Sequence, residues 1–218
     1  EINAIPGDFL IRFMTSHPRD ATEKLFRAMA ECEKCAKHIH LPVQSGSSRV
    51  LKAMNRHYDR EKYLALVDMA RSYMPDLVLT TDIIVGFPGE TAEDFAETLS
   101  LVEQVRYDAM FTFIFSPREG TPAATMPDPV SREEKQVWFD QLVETANRTS
   151  GEKHQEYIGR KLRVLVDGET GRGEYNLSAR TNGGRLVHLK ADPSLVGSFI
   201  EAEITDGNTW ALYGVPAE

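Results

Sequence analysis

The stretch LTTDIIVGFPGET, residues 79–91, decides how this chain is read. Its apolar residues are those of a buried strand. Yet Thr80, Thr81 and Asp82 lie inside it, and Gly-Phe-Pro-Gly-Glu closes it. A carboxylate in a core strand is costly unless something pairs with it or uses it. Two readings of Asp82 stand side by side. It is a structural carboxylate tied to a neighbouring backbone group or arginine, or it is a polar group offered to a ligand at a strand end. Gly86 and Gly89 either serve the turn alone or let a flat ring approach the backbone. Glu90 reads as a partner for the dipole of the next helix.

The flanking sequence repeats one plan. Strand-like runs at 9–16, 38–45, 77–87 and 109–116 alternate with helix-like runs at 20–31, 48–55, 59–73, 91–106 and 131–157. Thr91 with Asp94, and Ser131 with Glu134, have the spacing of a helix-starting capping box. Phe95, Leu99 and Val102 fall on one helical face, as do Val137, Leu142 and Val143 with Ala146 nearby. Pro75 stops the helix before the third strand. This alternation predicts parallel strands joined by right-handed crossovers. Four such units fall short of a closed eight-unit barrel, which takes about 250 residues. The expected fold of residues 1–150 is therefore α/β, a partial TIM-like (βα) barrel. From about residue 158 the pattern changes to five short β-rich runs separated by Gly, Asn and Asp. Ile200, Ala202 and Ile204 alternate there with Glu201 and Glu203. Residues 151–218 are expected to form a small all-β barrel of OB-like type.

Composition sets bounds. The net charge of −8 in 218 residues makes no bulk demand for nucleic acid, though a basic patch can be local. No apolar run approaches the roughly 20 residues that span a membrane, and no signal peptide opens the chain. Two cysteines do not make a disulfide framework, so a reducing cytoplasm is the expected location. The first residue is Glu1 rather than Met, and the chain reads as a piece of a longer protein.

In parallel α/β folds ligands sit at the C-terminal strand ends. Here those ends are polar: TSHP (15–18), PVQSGSS (42–48), TTDIIVGFPGE (80–90) and SPREGTP (116–122). Arg118 is a solvated loop residue or a clamp for an anionic group. His38 and His40 form an H-x-H pair with His17 nearby, a pattern that zinc or simple packing both explain. No third and fourth metal ligand stands out. Cys32 and Cys35 spell C-x-x-C but have no second pair, and are read as one core thiol and one partly exposed thiol. In the terminal segment Lys161, Arg163, Arg172, Arg180, Arg185 and Lys190 stand with Tyr175 and His188 between them. They are either a solvated surface or an RNA-contacting face, centred on the Asn-Gly-Gly turn of SARTNGGRLVHLK (178–190).

Four segments taken together resemble a known family. IRFMTSHPRD (11–20), HIHLPVQSGSSRVLKAMNRHY (38–58), TTDIIVGFPGETAEDF (80–95) and FTFIFSPREGTPAATM (111–126) are similar to consecutive signatures of the radical-SAM methylthiotransferases. Within these they resemble the tRNA-2-methylthio-isopentenyladenosine synthases, the MiaB family. The resemblance implies a radical-SAM partial barrel, here its last four units, followed by a TRAM domain. It implies S-adenosylmethionine and two 4Fe-4S clusters, an external electron donor, and methylthiolation of C2 of an isopentenyladenosine in the tRNA anticodon stem-loop. It places Gln44, Ser45, Asp82, Ile84 and Gly86 against S-adenosylmethionine. Arg118 and Arg56 become candidates for the cofactor carboxylate or RNA phosphates, and Arg163, Arg180, Arg185 and Lys190 for RNA.

The chain departs from the family in having no C-x-x-x-C-x-x-C. The expectation is a piece that binds no cluster or other metal, is inactive alone, and exposes an unpaired sheet edge. The rival readings are enzymes that methylthiolate a ribosomal-protein aspartate or threonylcarbamoyl-adenosine, a non-catalytic RNA-binding module, and a zinc hydrolase.

Overall fold

A computed structural model describes residues 1–14 and 17–217. Thr15 and Ser16, part of the first polar strand end, lie outside the described residues. The chain divides into two compact units. One comprises Phe13–Glu31 and Ile39–Thr149, the other Glu1–Arg12, Cys32–His38 and Ser150–Glu218. Residues 1–12 and 32–38 thus group with the barrel residues, His38 opening the strand β1.

The α/β unit is built on a three-stranded sheet of β1 (His38–His40), β2 (Val78–Val85) and β3 (Ala109–Ile114), in that order. β2 and β3 are parallel, paired from Thr80↔Ala109 to Val85↔Ile114. The helices of this unit are α1 (Glu23–Glu31), α2 (Ser48–Ala53), α3 (Arg60–Tyr73), α4 (Ala92–Val105) and the part of α5 (Arg132–Gln155) up to Thr149. β2 is the central strand, and Val78, Leu79, Ile83 and Val85 are buried, as a parallel middle strand requires.

β1 is short because Pro42 has no N–H to give a ladder. Beyond it the chain stays beside β2 by other means. Leu41 N donates to Thr80 O (2.8 Å), and Gln44 N donates to Asp82 O (2.9 Å). Between them the fully buried Thr81 hydroxyl accepts from Val43 N (3.0 Å) and donates to Leu41 O (3.0 Å). This explains why a core strand carries threonine: its side chain completes the neighbour's backbone hydrogen bonding.

Two sequence-based expectations are corrected. Residues 9–14 do not form a ladder; among the described residues one isolated parallel bridge joins Ile11 to Cys35. Side chains hold this segment instead, with Lys34 over the Phe9 ring (4.4 Å) and Asp8 paired to Arg163. Among the described residues the sheet has three strands. The buried face of α5 is shifted from the expected one. Leu142 is fully buried as expected, but Val137 is 54% exposed and Trp138 stacks on Phe95 of α4 at 5.2 Å. The Trp138 ring provides a larger apolar surface, and the helix turns to seat it. α4 opens with the expected capping box of Thr91 and Asp94.

The second unit contains a closed five-stranded barrel in the order β4-β5-β6-β8-β7. Its strands are β4 (Lys161–Arg172), β5 (Tyr175–Thr181), β6 (Leu186–Leu189), β7 (Phe199–Gly207) and β8 (Leu212–Pro216). All pairings are antiparallel except β6 with β8. Val164, Val166, Leu177, Ala179, Val187, Leu189, Ala202, Ile204 and Leu212 fill the interior. No helix among the described residues is long and apolar enough to cross a membrane.

Candidate functional site

The ends of β2 and β3 and the segment after β1 enclose a cleft of about 580 Å³. Gln44, Arg56, Asp82, Ile84, Phe113 and Arg118 line it. Strand alternation puts Asp82 and Ile84 on the face opposite the buried Thr81, Ile83 and Val85. Register sets Ile84 beside Phe113. Asp82 is not isolated: its Oδ1 lies 3.3 Å from His40 Nε2, and His40 Nδ1 lies 2.9 Å from Thr80 Oγ1.

Gln44 sits in the cleft wall with φ +76°, a conformation that non-glycine residues rarely hold. It is kept there by its own backbone, which receives Ile84 N–H (2.9 Å) and donates to Asp82. Strain of this kind persists only where the surroundings fix it, and it clusters at ligand sites. Tyr58 and Tyr63 are part of that fixing: their hydroxyls donate to Val43 O (3.0 Å) and Leu41 O (2.8 Å). Burial pushes the Tyr58 phenol up to about 12, so it stays a donor. Arg56 Nη1 is 3.3 Å from His17 Nε2. Burial, then the charges of Arg56 and Arg19, lower the His17 pKa, and its Nδ1 accepts from Arg19 N (3.1 Å). Arg118 is exposed on a loop tightened by Thr121 N and Oγ1, which donate to Arg118 O.

Two of the residues singled out in the sequence are not in this lining. Ser45 is fully buried, its hydroxyl 3.3 Å from Thr98 Oγ1 and accepting from Ser47 N (3.2 Å). Gly86 has φ +72°, and the stem of the buried Lys135 covers it. A Cβ at position 86 would lie 2.4 Å from Lys135 Cδ. The glycine admits a lysine chain rather than a flat ring.

Glu90 does more than serve a helix dipole. It is 1% exposed, and its Oε2 accepts from Gly86 N (2.5 Å) and Phe87 N (3.1 Å). Its Oε1 has no partner. Burial pushes its pKa up to about 7; the two N–H donors oppose this and Asp94 adds to it. The signal lay in the spacing: a carboxylate four residues after a turn glycine reaches back over that turn. Arg49, which the sequence did not single out, locks the same loop by donating to Gly89 O (2.6 Å) and pairing with Asp94. Asp94 is buried, which alone would raise its pKa, but hydrogen bonds from Arg49, Ser47 and Thr91 hold it far below the usual carboxylate range.

In the barrel unit the expected RNA-contacting cations already have partners. Arg163 pairs with Asp8 and lies over Phe199, Arg180 pairs with Asp167 (3.1 Å), and Lys190 pairs with Glu174 (2.9 Å). Arg185 is 7% exposed with its guanidinium 4.8 Å from the Tyr157 ring centre, so it is a packed residue and not a surface cation. Cys35 is buried and Cys32 half-buried. Among the described residues no three His, Cys, Asp or Glu side chains converge as a metal would need.

With this geometry in place, comparison with known proteins defines the class. Residues 1–102 match the radical SAM superfamily and residues 155–217 match the TRAM domain. The first part of the chain is thus similar to the radical SAM superfamily and its last part to the TRAM domain. It is 48% identical over 214 residues to a tRNA-2-methylthio-N(6)-dimethylallyladenosine synthase of Acetivibrio thermocellus, covering 98% of this chain and 45% of that protein. It is 49% identical over 213 residues to the protein of that name from Clostridium botulinum strain Langeland, covering 98% and 47%. The chain thus spans slightly under half the length of these relatives. Coproporphyrinogen III oxidase (HemN) from Escherichia coli, a radical SAM enzyme, shares the fold with a TM-score of 0.52. That likeness covers 94% of this chain and 51% of the other at 16% identity.

Proposed function

We propose that this chain is part of a tRNA methylthiotransferase that adds a methylthio group to C2 of isopentenyladenosine beside the anticodon. Its α/β unit would hold S-adenosylmethionine and its barrel unit would bind the tRNA. The observation that carries the reading is the cleft. Gln44, Asp82, Ile84 and Arg118, distant in sequence, line one concavity of about 580 Å³, within the size range of small-molecule sites.

The residues present fit S-adenosylmethionine. Ile84 and Phe113 provide apolar surface for a purine. Asp82 offers a carboxylate to ribose hydroxyls, held in place by His40 and backed through it by Thr80. Arg118 and Arg56 offer guanidinium donors to a carboxylate. When bound and reduced by an external electron donor through a cluster, the cofactor supplies radical chemistry. Two cysteines cannot supply three thiolate ligands to a 4Fe-4S cluster, so no cluster step is assigned to this chain's residues. What these residues do is orient the ligand, exclude water along the Ile84 and Phe113 wall, and hold Asp82 in place next to His40.

Nucleoside mass spectrometry of tRNA from cells with and without the full-length gene tests the activity. Loss of 2-methylthio-isopentenyladenosine with accumulation of isopentenyladenosine is expected; unchanged tRNA would refute the substrate. For the cleft, Asp82→Ala in the full-length protein should weaken S-adenosylmethionine binding about tenfold in equilibrium dialysis, the scale of one charge-assisted hydrogen bond. Unaltered affinity would remove Asp82 from the site.

A further inference from the structure

The barrel topology brings two turns to one end. β6 and β8 pair in parallel, with Val187 opposite Leu212. The turns that lead into them, 182–185 and 208–211, therefore emerge at the same end of adjacent strands. Each displays a different chemistry.

The first turn is Asn182-Gly183-Gly184, and a segment from outside the barrel is seated on it. Lys37 N donates to Asn182 Oδ1 (3.1 Å). The Arg12 guanidinium lies close against Gly184, whose φ is +80°; a Cβ there would fall 2.6 Å from Arg12 Nη2 and 3.1 Å from its Cζ. Arg12 is exposed and has no hydrogen bond or ion pair to any described residue. Its five N–H donors are thus positioned by packing yet left open. This contrasts with Arg163, Arg180 and Lys190, each facing a carboxylate. A pre-organised guanidinium with free donors suits a phosphate.

The second turn carries Trp210, which is 73% exposed. The turn beneath it is held firmly. Asn208 Oδ1 accepts from Trp210 N (2.8 Å) and Ala211 N (2.9 Å), and Asn208 Nδ2 donates to Tyr213 Oη (2.9 Å). The last turns of α5 add Ser150 Oγ to Thr209 O (2.9 Å) and Gln155 Nε2 to Gly207 O (2.6 Å). An exposed indole on a backbone held this firmly is a stacking surface whose backbone ordering cost the fold has already met.

We propose that this end of the barrel holds a short single-stranded segment of RNA, with Arg12 clamping a phosphate and Trp210 stacking on a base. A cation and an aromatic ring on neighbouring turns are the two elements of single-strand recognition. The proposal rests on the RNA reading given above and adds where the strand lies, including a contact made by a residue outside the barrel.

The test uses this chain and a fluorescein-labelled single-stranded RNA of about ten nucleotides, within the site size of an OB-type fold. Anisotropy titrations are run over a range of salt. Arg12→Gln should weaken binding several-fold at low salt and make the slope of log K against log salt shallower by about 0.7, the value of one single-strand phosphate contact. Trp210→Ala should weaken binding about tenfold, the value of one base stack, with the slope unchanged, and Trp210→Phe should recover most of it. Arg180→Gln, which removes a cation already paired with Asp167, should change binding less than Arg12→Gln. Thermal unfolding should be the same for Arg12→Gln and Trp210→Ala as for the parent, since both side chains are exposed. If the parent binds and both variants bind equally well, this placement is overturned while the RNA reading stands. If the parent binds no RNA, the RNA reading falls and this placement with it.

Discussion

In the barrel every strand has a neighbour on both sides, whereas in the α/β unit β1 and β3 have one each. The consequences run through both units. The barrel's backbone is satisfied by ladders, so its interior needs only apolar side chains, and the pairs Arg180–Asp167 and Lys190–Glu174 sit outside. The α/β unit, with a proline interrupting β1, must satisfy backbone with side chains. Thr81, Tyr58, Tyr63 and Glu90 all serve backbone groups from buried positions. Regular pairing makes a stable wall and leaves function to its turns. Interrupted pairing makes a concave site with a strained residue, Gln44, in its wall. β3 also leaves Phe111 and Phe113 at 57% and 50% exposure.

The contrast can be broken most severely in the barrel. Leu177 is fully buried, and Leu177→Ala should cost about 2–5 kcal/mol. Hydrogen exchange should show the loss in β4–β8 amides and not in β2. Protection lost equally in β2 would mean the two units unfold together.

The next effect belongs to the α/β unit and depends on pH. Folded Glu90 keeps its proton up to about 7, while its ordinary value is 4.5. Between those values the folded state binds more protons than the unfolded one, so stability is full below 4.5 and declines as pH rises through 7. The linkage amounts to about 3 kcal/mol at about 1.4 kcal/mol per unit. Glu90→Gln should be flatter than the parent in urea-denaturation free energy between pH 5 and 8. Parallel curves for the two proteins would show that Glu90 is ionised when folded.

A smaller effect follows from close packing. A Cβ on Gly46 would meet Thr98 Cα at 2.5 Å and Glu97 O at 2.7 Å, both backbone of α4. Gly46→Ala should cost roughly 1–3 kcal/mol, the scale of overpacking, read as a lower denaturation midpoint. Smallest of all, Arg180→Gln should alter stability by under about 1 kcal/mol, because its pair with Asp167 is a surface one. A loss as large as that of Gly46→Ala would mean the barrel's ion pairs share in its stability after all.

Much of this was legible in the sequence. Strand-helix alternation, the capping box at Thr91, the five short β runs and the family signatures come from local periodicity and spacing, which depend on chemistry within a few residues. So did the gathering of Gln44, Asp82, Ile84 and Arg118 at strand ends, because strand period and parallel order fix which face a residue takes. Other features depend on what a residue meets across the fold. Ser45 faces Thr98 rather than the cleft, Lys135 covers Gly86, and Trp138 rather than Val137 seats α5. Arg185 looked like a surface cation and is buried against Tyr157, while Arg12, far away in sequence, stands free on the turn beside it. Charge and hydropathy are properties of a residue and are read from the sequence. Burial and pairing are properties of two residues brought together, and only the tertiary structure decides which two.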